Sequence, residues 1–519
     1  MSRLLALVGG RIWTGVKRHP WATSVHLDGP QVIALDQPTA SQAEVIDLAG
    51  RFAMPAFIDS HLHLLLGGAA LGQLDLSGVS SRSQFEAAIA EEHRRLAPNE
   101  WLIARGWDES RWGGGLPDST WLCPAQARPC VCWRMDQHAA LINGPVLSML
   151  SSTADPADGQ WIRGSGGLPT GLALEGAAWG SVVPLIPDPG VAAKRRALRQ
   201  ATAHLHSLGV ATVGAMEYLT DVEQVIEGGL SEQPGLRVAL TLLDRAADLD
   251  LGAILRLRDR SAARRDLRVV GCKSFADGTL GSRTARMLEP YRDEPTNQGM
   301  LLDHARAGTL TEWMRRVGGA GLSPSVHAIG DAAIRAVIDA ADAAGLPIDQ
   351  VRFEHCQTIA AEDLPRFRGR FASIQPLHRA HDSAISTLRL GTDRLSRCFP
   401  LASLESTGAC LAFGSDWPIV SADPLAGVRA AVAGLDTAGN QIPWAQCLSV
   451  ESALVAYTRS AASCLGLTGI TGTLAPGLAA DIAILDRDPF TCDWVHSPPR
   501  LDTLIVNGQP AVMRATQPA

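Results

Sequence analysis

Eight short apolar runs recur through the middle of this chain, and most are separated by stretches with helical patterning. The runs lie at 53–59, 208–214, 236–243, 267–275, 322–327, 351–355, 371–375 and 409–414. Short apolar runs that alternate with helices are typical of parallel strands whose two faces are both buried. Eight strand–helix units are also the number that closes a barrel. The sequence therefore predicts an α/β fold centred on a TIM-like (β/α)8 barrel.

The first two runs are separated by far more chain than one crossover helix needs. The intervening residues 64–207 are rich in Trp, Gly and Pro. Loops at the carboxyl ends of barrel strands commonly carry such additions. We expect residues 64–207 to contain a cap, inserted after the first barrel strand and placed over the barrel mouth.

Both ends of the chain differ from the middle in their pattern of apolar and turn-forming residues. Short strand-like stretches broken by Gly, Pro and Asp lie at 4–13, 22–28, 31–35, 44–48, 481–486 and 502–508. Such stretches are typical of a small antiparallel sheet. We expect residues 1–54 and 465–519 to form one composite β-sandwich domain, beside a barrel domain at 55–464.

Composition excludes several classes of protein. With 46 Lys and Arg against 53 Asp and Glu, the formal charge of −7 offers no basic surface for nucleic acid. No apolar run reaches the ~18 residues of a membrane span. Residues 1–13 lack the apolar core and cleavage site of a secretory leader, and the ten cysteines form no CxxC pair. These features favour a cytoplasmic protein with reduced thiols.

One lysine stands in an unusual place. The chain has only three, and Lys17 and Lys194 lie in polar surroundings, whereas Lys273 lies near the end of the apolar run 267–275. A buried primary amine can deprotonate, form a Schiff base or be carbamylated by CO2, and a guanidinium cannot. The alternative is a lysine that extends from the end of a strand to reach water.

Metal-binding and acid–base side chains follow the apolar runs directly. His61 and His63 are two residues apart on a strand, so both rings point the same way and can reach one metal ion. A single buried His or Asp is usually a hydrogen-bonded core residue, but several at the carboxyl ends of different barrel strands converge where active sites are built. The six residues placed in this way are His61, His63, Lys273, His327, His355 and Asp416.

Further motifs extend this pattern over nearly the whole chain. They lie at 106–108, 136–140, 170–171, 273–283, 326–331, 354–355, 375–376, 413–416 and 472–477. With these motifs the chain resembles the amidohydrolase superfamily, and more closely its amidohydrolase-3 branch, typified by YtcJ-like proteins and N-substituted formamide deformylases. The motifs are specific for the family and much less specific for a substrate.

The resemblance implies a centre of one or two metal ions. His61 and His63 would bind the more buried ion, and His327 and His355 would bind the second. Lys273, as a carbamate, would bridge the two. Zn²⁺ is the expected metal because imidazole suits it, although other divalent ions would also fit.

The resemblance also implies a reaction. The metal would activate water to hydroxide near neutral pH and polarise the scissile carbonyl. Asp416, at the open side of the buried ion, would take the proton from that water and pass it to the leaving nitrogen.

Five residues are candidates for substrate contacts, each with a packing alternative. His138 lies in the predicted cap and either reaches the substrate or packs within the cap. Trp107 and Asp108 either line the pocket or pack in the core. Arg283 either meets a substrate carboxylate or pairs with Asp277. The fifth candidate is Gln375, and His378 is also a plausible pocket residue.

The expected function is a metal-dependent amidohydrolase that cleaves a C–N amide bond, with an N-substituted formamide or another small N-acyl amine as substrate. A cyclic-amide hydrolase or a deaminase would need the same metals and stays open. A non-catalytic regulatory or binding descendant would be favoured by the loss of a ligand position, and none is lost. The expected partners are the small-molecule amide and a second copy of the chain in a homodimer.

Overall fold

The computed structural model describes residues 4–232, 235–245 and 249–513. Within these ranges the strands are β1 (Leu4–Val8), β2 (Arg11–Val16), β3 (His19–Ala22), β4 (Val25–Asp28), β5 (Gln31–Leu35), β6 (Glu44–Asp47), β7 (Phe52–Pro55), β8 (Phe57–Leu62), β9 (Leu74–Asp75), β10 (Leu102–Trp107), β11 (Cys130–Arg134), β12 (Ala139–Ile142), β13 (Gly159–Arg163), β14 (Pro169–Glu175), β15 (Val210–Glu217), β16 (Arg237–Leu243), β17 (Leu267–Phe275), β18 (Ser323–Ala328), β19 (Arg352–His355), β20 (Phe371–Ile374), β21 (Cys410–Phe413), β22 (Ile482–Leu485), β23 (Leu501–Val506) and β24 (Gln509–Met513).

The described α-helices follow the same order along the chain. They are α1 (Leu64–Ala70), α2 (Arg82–Arg95), α3 (Gly144–Leu147), α4 (Gly190–Ser207), α5 (Leu219–Asp221), α6 (Glu227–Glu232), α7 (Leu251–Ser261), α8 (Asp303–Ala307), α9 (Leu310–Gly319), α10 (Asp331–Ala344), α11 (Pro376–Leu390), α12 (Leu401–Thr407), α13 (Pro424–Ala433), α14 (Val450–Ala456) and α15 (Arg459–Cys464). None of these helices is long and apolar enough to cross a membrane.

Eight parallel strands form the central barrel, in the order β8, β15, β16, β17, β18, β19, β20 and β21. The last strand returns to the first, where the Asp416 N–H donates to the His61 carbonyl at 2.6 Å. The approach is close enough that a Cβ on Gly414 would lie 2.5 Å from the His61 nitrogen, so a glycine is needed there. The predicted (β/α)8 barrel is confirmed, with a strand at each of the eight predicted runs.

The first predicted strand is divided between two observed strands. The run 53–59 contains the end of β7, which pairs with β22, and the start of β8, which pairs with β15. The chain changes sheets at Ala56, whose N–H donates to the Asp481 carbonyl at 2.9 Å. Both halves of the run are buried, so hydrophobicity alone cannot reveal a change of partner.

Strands from both ends of the chain share one sheet. Its order is β24, β23, β22, β7, β2 and β3, and a four-stranded sheet of β5, β4, β1 and β6 packs against it. The predicted antiparallel pairing is only partly correct, because β1 pairs with β6, and β2 with β7, in parallel. Parallel pairing is available because long connections, rather than hairpins, join those strands.

The long segment after β8 contains a second compact unit. Its six-stranded sheet has the order β13, β14, β12, β11, β10 and β9, and it encloses its own apolar clusters around Phe85 and Trp161. Helices α1 and α4, at the two ends of the segment, pack on each other beside the barrel. The inserted unit is described below as the cap, with the bounds of its sheet, 74–175.

Candidate metal centre and substrate cavity

The carboxyl ends of β8 and β21 bring an aspartate against two histidines. Asp416 Oδ1 lies 3.4 Å from His61 Nε2 and 3.3 Å from His63 Nε2. His355, at the end of β19, adds a third ring, and ligand atoms of His61, His355 and Asp416 all lie within 4.8 Å of one another. This spacing lets the three side chains bind one ion.

The remaining predicted histidine joins the same cluster. His327, on β18, has its ring centroid 4.3 Å from that of His355, which is itself 4.9 Å from that of His61. The His327 Nε2–H donates to the Gly278 carbonyl at 3.0 Å, which leaves Nδ1 as the unprotonated nitrogen. The four predicted histidine ligands are therefore brought together.

Lys273 lies in β17, where it pairs across the barrel wall with Leu243 and Ser325. Its side chain is buried, and within the described ranges its Nζ has no hydrogen-bond or ion-pair partner. Burial lowers the pKa of this amine to about 8, because the charged form loses its hydration. The lower pKa increases the share of the neutral amine, which is the form that reacts with CO2.

Burial also keeps the imidazoles neutral. It is the largest cause that lowers the pKa of His61 to about 4 and that of His327 and His355 well below the usual range. A neutral imidazole retains the lone pair that binds a metal. Burial alone would raise the pKa of Asp416, but the neighbouring His61 and His63 hold it below its usual range, so the carboxylate stays ionised.

Outer partners orient the rings. The His61 Nδ1–H donates to Glu354 Oε2 at 2.7 Å, and the His355 Nδ1–H donates to Gln375 Oε1 at 2.9 Å. Such partners fix the tautomer of a metal-binding histidine. His61 Nε2 is then buried without a hydrogen-bond partner. A buried nitrogen of this kind is costly unless something binds it, and the surrounding donor set suits a divalent metal ion.

Two of the site residues have an unusual backbone. His355 has φ of 74° and Asp416 has φ of 60°, in the left-handed region that costs non-glycine residues about 1–3 kcal/mol. Conformations of this type cluster at functional sites, where the surrounding structure holds a side chain in a required direction.

A cavity of about 300 Å³ lies in front of the cluster, and all six predicted ligands line it. The predicted cap lies against the barrel here, because His138 lines the same cavity with its ring centroid 5.5 Å from that of His327. The His138 Nδ1–H donates to Glu175 Oε2 at 2.8 Å. Burial would lower the pKa of His138, but Glu175 raises it above its usual value.

The other predicted substrate contacts lie behind the cavity wall. Trp107 is buried and donates to the Cys132 carbonyl at 2.7 Å. Asp108 accepts from the Ser110 N–H at 3.0 Å and borders a neighbouring cavity. Gln375 acts on the site through the His355 ring.

Arg283 does not pair with Asp277, as one interpretation of the sequence expected. Its guanidinium pairs with Asp293 at 2.7 Å. Asp277 instead accepts from the N–H groups of Ile329 and Gly330 at 3.0 and 2.9 Å.

Three residues around the cavity were not singled out from the sequence as site residues. These are Glu175, Arg245 and Glu354. Glu354 directly precedes a predicted ligand, and this position is a signal that the sequence offers. His378, expected from the sequence as a pocket residue, lines the cavity, and its Nε2 lies 3.7 Å from Asp416 Oδ2. Arg245 follows β16 without any motif around it.

Fold and site together define a class of protein: (β/α)8 barrels whose strand ends carry a metal-binding centre. Comparison with known families makes the assignment specific, because the model of the amidohydrolase family matches residues 44–512. The chain belongs to the amidohydrolase family, and the resemblance drawn from its motifs is confirmed.

Several known proteins are similar over nearly their full length. Protein LONG AFTER FAR-RED 3 of Arabidopsis thaliana is 31% identical over 94% of this chain and 88% of its own. Putative amidohydrolase YtcJ of Bacillus subtilis is 32% identical over 90% of both chains. N-substituted formamide deformylase of Arthrobacter pascens is 22% identical over 94% of both. Among solved structures, an uncharacterized metal-dependent hydrolase from Pyrococcus horikoshii OT3 aligns with a TM-score of 0.74 and 26% identity, covering 95% of this chain and 99% of the other.

Proposed function

We propose that this protein is a metal-dependent amidohydrolase that cleaves a C–N amide bond of a small molecule. The observation that carries the proposal is the convergence of His61, His355 and Asp416, with ligand atoms within 4.8 Å, on a cavity that a buried lysine also lines. A barrel with only a structural role has no need to bury so many polar groups at one face.

The donor set would hold one or two divalent ions. The proposed ligands are His61, His63, Lys273, His327, His355 and Asp416. Zn²⁺ is the proposed metal, which when bound lowers the pKa of a water molecule and polarises a carbonyl group. For the lysine ligand, the neutral amine adds to CO2 with loss of one proton, which gives a carbamate anion with two oxygen donors.

Asp416 is the proposed proton carrier. Its carboxylate is ionised and lies at the cavity, so it can accept a proton from the attacking water. The same proton then passes to the nitrogen of the leaving amine as the C–N bond breaks. Across the cavity, the His138 ring, whose Nδ1–H is held by Glu175, would contact the substrate through Nε2.

The proposed substrate is an N-substituted formamide or another small N-acyl amine. The cavity volume of about 300 Å³ supports a small molecule, being at the lower end of ligand pockets. Similarity to a formamide deformylase over most of the chain supports the same class. A cytoplasmic homodimer is part of the proposal, and the free thiols of all ten cysteines are consistent with a reducing compartment.

The test combines metal analysis with a substrate screen. Protein produced with ample zinc should retain up to two Zn²⁺ per chain and hydrolyse formamides or N-acyl amines. Absence of tightly held metal would contradict the proposal. If the protein hydrolysed only cyclic amides, or only deaminated its substrates, the proposed substrate class would be wrong. The proposed metal centre would still stand.

A further inference from the structure

The cavity contains a guanidinium that the proposed reaction does not use. Arg245 lies two residues beyond the end of β16 and lines the cavity together with Trp179 and Phe275. Its Cζ lies 4.2 Å from the Phe275 ring centroid and 5.4 Å from that of Trp179. Cations within about 6 Å of an aromatic centroid are attracted to the ring, so these contacts hold the guanidinium in place.

Two other cationic side chains on the cavity wall are already neutralised. Arg134 lies 2.9 Å from Glu109 and 2.7 Å from Asp136. Lys194 has two carboxylate partners, each at 2.8 Å. The charges of Arg134 and Lys194 are therefore already paired, whereas the charge of Arg245 is not fully paired.

Arg245 has one weak ionic partner. Its Nη2 lies 3.5 Å from Glu175 Oε2, and no other hydrogen bond or ion pair of its side chain is found in the described ranges. Glu175 is itself occupied, because it accepts from His138 at 2.8 Å and from the Thr284 hydroxyl at 2.6 Å. The guanidinium carries five N–H donors, so most of them are available to a bound molecule.

We propose that Arg245 binds a carboxylate on the substrate, and that the amides this enzyme cleaves are N-acyl derivatives of small amino acids. The proposal rests on the amidohydrolase function above and names its substrate class. A guanidinium matches a carboxylate in two parallel hydrogen bonds, a geometry that an ammonium cannot supply. The charge also distinguishes such amides from the neutral formamides that share the reactive group.

The distance from the metal centre supports this class. The Phe275 ring centroid lies 5.1 Å from Lys273 Nζ and 4.2 Å from Arg245 Cζ, so a single aromatic ring separates the two groups. In an N-acyl amino acid, the carboxylate is only a few bonds from the scissile amide. Such a molecule can place its amide near Lys273 and its carboxylate at Arg245. The apolar walls at Trp179 and Met216 would face the amino-acid side chain.

The test compares N-formylglycine with N-formylglycinamide, which has nearly the same shape without the charge. The zinc-loaded enzyme should hydrolyse the anion with a kcat/KM at least tenfold higher. Arg245→Gln should abolish this preference through KM, and Arg245→Lys should restore only part of it. Arg95→Gln removes the same charge from an exposed surface position and should keep the parental preference.

Binding separates failure of this proposal from failure of the proposed function. If neither compound is hydrolysed, calorimetry with N-formylglycine on the zinc-loaded Asp416→Asn variant, with and without Arg245→Gln, still decides the role of Arg245. A tenfold loss of affinity in the double variant supports it. Equal affinity in both, or equal kcat/KM for the two compounds in the parent, overturns it.

Discussion

Burial acts in opposite directions on the pKa values of two side chains of the proposed metal centre. It lowers the pKa of Lys273 to about 8, because the ammonium loses its hydration and the charges of Glu354 and Asp416 offset only part of that loss. At Asp416 burial would raise the pKa, but two histidine neighbours outweigh it. Near pH 8 a partly neutral amine therefore lies beside an ionised carboxylate, and each can be tested alone.

Replacing Asp416 with Asn should lower kcat by about 10²–10⁴-fold, the usual contribution of general acid–base catalysis. The amide keeps the shape of the carboxylate but cannot accept the proton. Metal content and the thermal unfolding temperature should stay close to those of the parent. Near-normal turnover in a metal-loaded variant would mean that another group, His327 or His138, carries the proton.

Replacing Lys273 with Ala should reduce turnover by about 100-fold or more, because a metal centre contributes several kcal/mol to the transition state. Short carboxylic acids added with metal should restore part of the activity. Lys273→Arg should be equally inactive, since a guanidinium does not form a carbamate. A carbonyl signal from ¹³CO2-enriched protein would show the carbamate directly, and full activity of Lys273→Arg would exclude it.

A site residue could be predicted from the sequence when its position in the barrel alone brings it to the site. The clustering of the proposed metal ligands could be predicted because strand ends in a barrel converge, so a His or Asp after an apolar run carries positional information. Glu354 and Arg245 act through contacts with residues far away in sequence, at 61 and at 175 and 275. Trp107 and Arg283 look functional in sequence because of their chemistry, but their polar atoms are committed to Cys132 and Asp293.

At the scale of elements, one short loop fastens the cap to the barrel. The loop follows β11, and its Asp136 accepts from the hydroxyls of Thr279 and Ser282 at 2.6 and 2.7 Å, on the segment that follows β17. The same carboxylate pairs with Arg134. The loop continues into His138, so the docking sets the position of one cavity wall.

Asp136→Asn should raise KM and destabilise the fold, since a buried group that loses a charged partner costs about 1–3 kcal/mol. Burial would raise the pKa of Asp136, but Arg134 lowers it from 3.8 to about 2. Its stabilising effect is therefore present above pH 3.8 and is lost as the pH falls towards 2. The difference in unfolding temperature between variant and parent should narrow over that interval.

A matched change in the same unit provides the control for this experiment. Glu91→Gln also converts a carboxylate to an amide, at an exposed position of helix α2. It should leave KM and the unfolding temperature nearly unchanged at every pH. If Asp136→Asn behaved like Glu91→Gln, the loop would not depend on its carboxylate.

Elements of the barrel could be predicted more fully than those outside it. A buried parallel strand is apolar along its whole length and stands out between helices. The end strands are short and half-exposed, so their pattern indicated strands without revealing that β1–β6 and β2–β7 pair in parallel. Strand direction depends on which distant segments meet, and that information is absent from local sequence.

At the scale of the molecule, a buried ion pair joins the composite sheet to the barrel. Arg237, the first residue of β16, lies 2.6 Å from Asp481, which directly precedes β22. The other oxygen of Asp481 accepts from the Asn507 N–H at 2.9 Å. Chain segments more than two hundred residues apart are thereby held at one point.

Asp481→Asn should destabilise the protein by about 3–5 kcal/mol, the usual cost of leaving one member of a buried pair without its counter-charge. The expected result is a lower thermal unfolding temperature, with metal content retained below the transition. Asp259→Asn, which breaks a solvent-exposed pair with Arg258, should shift the unfolding temperature little. Equal shifts of the unfolding temperature in the two variants would show that the buried Arg237–Asp481 pair stabilises the fold no more than an exposed pair does.

The composite sheet has a consequence for how the chain is made. Strand β7 lies between β2 and β22, so one of its edges stays open until residues 482–485 have been synthesised. Translation proceeds at about 5–20 residues per second. This edge of β7 therefore stays without its partner strand for on the order of half a minute, while the barrel is synthesised. An unpaired edge recruits other strands. Truncated or stalled nascent chains should therefore be favoured clients of chaperones that bind exposed strands.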